Sequence, residues 1–183
     1  MGFWDNVINN QMQGMDAFSA YEKAKRKENE PCHREIRFLD WNDKYRLNQL
    51  EYSYRREGCI SVNIDFDEVR DDLDSHRYIG AVEGDNVVGI ISVGGTDGYP
   101  DLDPKGAIIS DLYVSPDRRN NNIGSELVEE AVRYAKREYG NKIYADILDD
   151  GLLYFYKKLG FKENGEGHIL LDYSPKQKSR EDI

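Results

Sequence analysis

The spacing of apolar and polar positions changes period along this chain, and each change marks an element boundary. Residues 107–114 (AIISDLYV) are a short run of strand formers, closed by Ser115-Pro116-Asp117 because proline has no N–H to give to a sheet ladder. From Ser125 the spacing lengthens: Leu127, Val128, Ala131, Val132, Tyr134 and Ala135 recur three and four residues apart, the stripe of an amphipathic helix. Strand, polar loop and helix therefore follow one another over residues 107–138.

The same reading extends in both directions. Residues 34–39 alternate as a strand, and Asp40-Trp41-Asn42-Asp43 offers a cap for a helix over 45–57 that Gly58 stops. A short helix is expected over 65–73, then two β-rich runs, 77–82 and 87–93, around the hairpin turn Glu83-Gly84-Asp85-Asn86. Residues 94–106 have no apolar period and read as an exposed, mobile loop whose Asp97, Asp101 and Asp103 are more simply solvated than set to hold a cationic acceptor, the alternative such acids offer. Beyond the stop at Gly140-Asn141 come a strand over 142–148 and a helix over 152–160 with Leu152, Phe155, Tyr156 and Leu159 on one stripe. A closing strand pair, 161–163 and 168–173, completes the pattern.

Residues 1–33 stand apart. Phe3, Trp4, Val7, Ile8, Met12, Met15, Phe18 and Tyr21 recur at helical spacing and Pro31 ends the segment, which predicts an N-terminal amphipathic helical arm. Its stripe must be buried on its own domain, on a second copy or on a partner protein through residues 3–21, and the sequence weighs these equally. The expected organisation is this arm, one domain over 34–173, and a charged tail over 174–183.

Composition narrows the classes. With 183 residues, 39% hydrophobic and 33% charged, the chain suits one soluble domain with appendages. A formal net charge of -10 disfavours nucleic acid and anionic membranes and favours cationic partners such as amines. No apolar run approaches a membrane span and Asp5 interrupts any signal-like start, so a cytoplasmic location is expected. Cys32 and Cys59 lack metal spacing and read as reduced thiols. His33, His76 and His168 fall beside no nucleophile at catalytic spacing, and no metal is implied.

Chemistry concentrates in the loop at residues 118–125. The first turn of a helix presents N–H groups without helical partners and the positive end of the macrodipole, a natural seat for a pyrophosphate. Arg118 and Arg119 add charge, Gly124 permits close approach, and Asn120, Asn121 and Asn122 tolerate left-handed backbone. On residues alone, a phosphate cradle and a solvated strand-to-helix turn are equally supported. In the strand, Asp111 is a polar residue in the apolar row Ala107, Ile109, Tyr113: a candidate base or amine-binding group, or else a carboxylate capped by neighbouring N–H groups. Tyr156 alone reads as a core aromatic.

The pattern Val114-x-Pro116-x-x-Arg119-x-x-Asn122-x-Gly124-x-x-Leu127 resembles the acyl-CoA-binding signature of the GNAT superfamily of N-acyltransferases, Gln/Arg-x-x-Gly-x-Gly/Ala, with Asn122 at the first glycine. FYKKLGF, residues 155–161, is similar to the family's helix after the fifth strand, and the element order over 34–173 resembles the whole layout. The resemblance implies an α/β fold with a mixed, largely antiparallel sheet flanked by helices, its fourth and fifth strands splayed around the acyl-CoA arm. It implies that Arg119, Asn120, Asn122, Gly124 and Ser125 cradle the pyrophosphate of acetyl-CoA, mostly through backbone, while backbone at Leu112, Tyr113 and Val114 holds the pantetheine. Tyr156 would protonate the leaving thiolate, with Asp111 as helper, because Ser110 stands where many relatives carry an acid. Asp149 replaces a common asparagine. The function implied is acetyl transfer to an amine acceptor, small molecule or protein. A second reading keeps the fold as a weak or inactive interaction module using the arm, and the changes at Asn122, Ser110 and Asp149 lean towards it.

Overall fold

The computed structural model describes residues 33–58, 63–146, 149–164 and 168–173. The arm, both cysteines and the charged tail read from the sequence lie outside them. The elements are β1 (Arg34–Phe38), α1 (Asn48–Glu57), α2 (Phe66–Asp71), β2 (Tyr78–Glu83), β3 (Asn86–Gly95), β4 (Ala107–Val114), α3 (Ile123–Glu138), β5 (Lys142–Asp146), α4 (Asp150–Lys158), β6 (Lys162–Glu163) and β7 (His168–Asp172). The strands form one sheet in the order β1-β2-β3-β4-β5-β7-β6. Among the described residues only the β4–β5 pairing is parallel and the other pairings along the sheet are antiparallel, the mixed sheet flanked by helices that the family resemblance implies.

α1 starts later than its apolar spacing suggests because Asp40 caps a separate 3-10 turn, Trp41–Asp43. The Asp40 side chain accepts from Asn42 N–H and the Asp43 side chain from Asp40 N–H, a reciprocal box that satisfies the first donors. Asp43 is fully buried there, held by two bonds from Arg37 at 2.7 and 2.8 Å. Gly58 ends α1 at φ 61, a left-handed backbone that glycine adopts without steric cost.

Two apolar layers sandwich the sheet. α3 lays Ile123, Leu127, Val128, Ala131 and Ala135 on a face carrying Ile79, Ile91, Ile109 and Ile143. α1 and α2 cover the other face, with Leu50, Phe66 and Val69 against Tyr78, Val87, Ile90 and Tyr113. Each such side chain taken from water contributes about 2 kcal/mol before entropy is counted, so these layers hold the sheet rigid behind its edges.

Strict alternation along β4 fails at Asp111. Ala107 and Ile109 join the α3-side core, as alternation predicts, but Tyr113 joins the α1 side while Leu112 and Val114 pack against the α3 side. The cause is a β-bulge: Ile90 faces Tyr113 and Ser92 faces Ser110, leaving Asp111 and Leu112 together opposite Ile91, with Asp111 at φ 55. Asp111 thus leaves the row of Ala107 and Ile109, to which its sequence position assigned it, and joins Ser92 on the α1 side.

The parallel ladder between β4 and β5 runs from Ala107↔Ile143 to Ile109↔Ala145, while β4 continues to Val114. Among the described residues, the bulged half of β4 has no ladder partner on the β5 side. The segment 94–106, expected to be exposed and mobile, is instead pinned. Leu102 is buried against Ile108 and Tyr144, and the buried Thr96 hydroxyl donates to the Asp103 carbonyl at 2.6 Å.

Candidate active site

The loop after β4 is shaped by its asparagines. Pro116–Arg118 makes one 3-10 turn, then Asn120 and Asn122 sit at φ 64 and 65. Asparagine reaches this region more readily than other side-chain-bearing residues, so Asn122 supplies the left-handed turn that a glycine would otherwise give. α3 begins immediately, and its first i→i−4 bond runs from Glu126 N–H to the Asn122 carbonyl at 3.1 Å. The amides of Ile123, Gly124 and Ser125 precede that bond and mark the positive end of α3.

Gly124 contributes space. A Cβ built on it would lie 3.4 Å from Cζ of Phe155 on α4, so a large side chain there would fill the opening between α3 and α4. That opening belongs to a cleft of about 880 Å³. All eight residues expected to meet the cofactor line it: Leu112, Tyr113 and Val114 from β4, and Arg119, Asn120, Asn122, Gly124 and Ser125 from the loop and α3. Glu57, Asp149, Leu152 and Phe155 add to the wall. Asp149 caps α4, its Oδ1 accepting from Leu152 N–H at 2.7 Å, so this carboxylate is engaged at a helix N-terminus where negative charge is favoured.

The loop arginines are both paired with acids. Arg118 bonds Glu83 at 3.1 Å and Asp117 at 3.0 Å. Arg119 donates from Nε to the Val114 carbonyl at 3.0 Å and from both terminal nitrogens to Glu57 at 2.7 Å, and the Tyr113 hydroxyl donates to the same carboxylate at 2.9 Å. The Arg119 bond holds the Glu57 carboxyl below its ordinary range, against a smaller upward push from burial, with Tyr113 assisting. Neutralised arginines leave the loop amides and the α3 terminus as the main attraction for an anion.

Asp111 and Tyr156 stand outside that wall, each next in sequence to a residue that lines it. On the α1 side, the Ser92 and Ser110 hydroxyl oxygens are 2.7 Å apart, Ser92 is buried, and Ser92 donates to the Asp111 carboxylate. Burial raises the Asp111 pKa, opposed by that bond and by the Arg77 charge. Tyr156 comes from α4, on the opposite face, with 1% of its surface exposed and its ring against Phe155 and Phe161. Its phenol pKa is raised by burial first, then by the negative charges of Asp146 and Asp111. Asp146 Oδ1 lies 2.9 Å from His168 Nδ1 on the neighbouring strand.

Three residues at this site escaped the sequence reading. Glu57 looks like an ordinary helix-end acid, and nothing local announces its reach to Arg119. Ser92 sits inside the apolar run of β3. Asp146 carries the clearest signal, an acidic residue inside the strand run KIYADIL over 142–148. Among the described residues, no group of His, Cys, Asp and Glu is arranged to hold a metal ion, and no helix is long and apolar enough to cross a membrane.

Comparison with known proteins places this architecture. The sequence model of the Acetyltransferase (GNAT) family matches residues 28–161. A GNAT family acetyltransferase from Brucella melitensis, in complex with acetyl-CoA, superposes with a TM-score of 0.60 at 19% identity, over 80% of this chain and 92% of that one. An N-acetyltransferase from Staphylococcus aureus Mu50 gives 0.61 at 19% identity, over 76% and 98%. At this identity the likeness is one of fold. An uncharacterized N-acetyltransferase of Methanocaldococcus jannaschii is 38% identical over 60 residues, which are 31% of this chain and 26% of that protein. The match thus spans about a quarter of that relative's length.

Proposed function

The chain belongs to the GNAT acetyltransferase family, and from that premise we propose that it moves an acetyl group from acetyl-CoA to an amine by direct attack. The observation that carries the reading is the single cleft in which a left-handed Asn122, the first-turn amides of α3 and the bulged half of β4 meet. Amides of Ile123, Gly124 and Ser125 take the pyrophosphate at the helix terminus, with Arg119, Asn120 and Asn122 holding the loop around it. Backbone at Leu112, Tyr113 and Val114 lies along the pantetheine, and an amide there polarises the thioester carbonyl as charge develops on its oxygen.

The amine approaches from the α1 side. Asp111 and Asp146 favour a cationic acceptor there, in keeping with the net charge of -10. Its proton passes to Ser110 Oγ while Ser110 hands its own to Ser92 and Ser92 hands one to Asp111, so a serine beside a carboxylate does what a serine alone cannot. The N–C bond forms, the C–S bond breaks, and the sulfur leaves towards Tyr156. The raised pKa keeps that phenol protonated, and the desolvation that raises it also raises the basicity of a thiolate beside it. Asn122, Ser110 and Asp149, the three departures from the family pattern, each have a place in this account.

The test is thiol release from acetyl-CoA in the presence of polyamines, aminosugars, free lysine and N-terminal peptides. Amine-dependent release with an acetylated product is expected. Cofactor binding without release for any acceptor class would favour the second reading, a binding module that keeps the fold.

A further inference from the structure

We propose that Glu57 is a positioning residue for acetyl-CoA, acting through Arg119 to hold the phosphate loop in its binding shape. The inference rests on the reading above. Glu57 is the last residue of α1, and an ionised carboxylate only accepts hydrogen bonds, so it offers a pyrophosphate nothing but repulsion. Its contribution to binding must pass through what it holds.

What it holds is the frame of the loop. The planar guanidinium of Arg119 matches the carboxylate with two parallel bonds of 2.7 Å, the arrangement that fixes direction as well as distance. With its terminal nitrogens so fixed, Nε reaches back to the Val114 carbonyl at 3.0 Å, joining the end of β4 to the loop that leaves it. The Tyr113 ring lies 5.5 Å from the guanidinium carbon, and its hydroxyl bonds the same carboxylate at 2.9 Å. One side chain from α1 therefore clasps both the strand end beside the pantetheine path and the loop that offers its amides. Glu57 and Arg119 keep 29% and 42% of their side-chain surface exposed, so the pair adds little to global stability. Its effect is local order, which lowers the entropy lost when the loop closes on a ligand.

Calorimetric titration with acetyl-CoA of the wild type, Glu57→Gln, Arg119→Gln and the double variant tests this. Glu57→Gln is expected to weaken binding about tenfold, within the usual coupling between contacting residues, and to add nothing in the Arg119→Gln background. Equal or tighter binding by Glu57→Gln would overturn the proposal, tighter binding marking the carboxylate as a rival of the pyrophosphate. Equal weakening in both backgrounds would overturn it too, since Glu57 would then act by another route. A wild type that does not bind acetyl-CoA refutes the reading beneath, a result distinct from either.

Discussion

From Val114 to Ser125 the candidate site is made of backbone: two left-handed asparagines, a helix terminus, and a glycine that leaves room beside Phe155. Across the bulge the site is made of side chains, with Ser92, Ser110, Asp111, Asp146 and Tyr156 arriving from β3, β4, β5 and α4. A backbone site survives changes of side chain that keep its φ angles and its space. A side-chain site does not, because each group carries a proton or a charge that its replacement lacks. The two halves should therefore fail differently: the first in cofactor affinity, the second in turnover.

Removal of the Tyr156 hydroxyl is the largest expected effect. Tyr156→Phe should lower kcat about 100-fold, the lower end for loss of a positioned acid, with acetyl-CoA affinity within about twofold by calorimetry. A parallel loss of affinity would erase the division between the halves. Asp111→Asn comes next, with about a tenfold drop in kcat from the weaker proton acceptor it leaves. Its sharper signature is the pH profile. Burial raises the Asp111 pKa, so wild-type activity should climb with pH as this carboxyl ionises, at a pH above the ordinary carboxylate range, and the Asn variant should lack that limb. Ser92→Ala should shift the same limb, because it removes the bond that opposes the upward push.

Smaller effects belong to the backbone half. Asn122→Ala places an ordinary Cβ at φ 65 and should cost about 1 kcal/mol in denaturant unfolding, whereas Asn122→Gly should stay within a few tenths. Arg118→Ala should change acetyl-CoA affinity less than about twofold, since Glu83 and Asp117 already share its charge. A large loss there would mean that the arginines, not the amides, hold the anion.

The two halves also differ in how far the sequence reveals them. The loop is contiguous, and its strand-to-helix change of period, its asparagines and Gly124 all lie in one stretch, so eight candidate cofactor positions could be named, and all eight line one cleft. The order of elements along the chain was legible for the same reason, each having its own period and stop signal, while the mixed sheet came from the family resemblance. The other half depends on the bulge at Asp111, which no local pattern announces: alternation assigns this residue to the α3 face, and one left-handed φ carries it to Ser92. Thr96 and Leu102 taught a similar lesson: a glycine- and proline-bearing segment is anchored by the Thr96 bond to the Asp103 carbonyl and by Leu102 packed against Ile108 and the distant Tyr144. Glu57 is the extreme case, meeting its partner Arg119 only through tertiary structure.

The most direct measurement is calorimetric binding of acetyl-CoA to the wild type and to Gly124→Trp, with circular dichroism to show that both are folded. The account predicts saturable binding by the wild type and none by the variant, whose indole would fill the space that Gly124 leaves in front of Phe155. Equal binding by both proteins would contradict it, because the cofactor would then lie somewhere other than the cleft between α3 and α4.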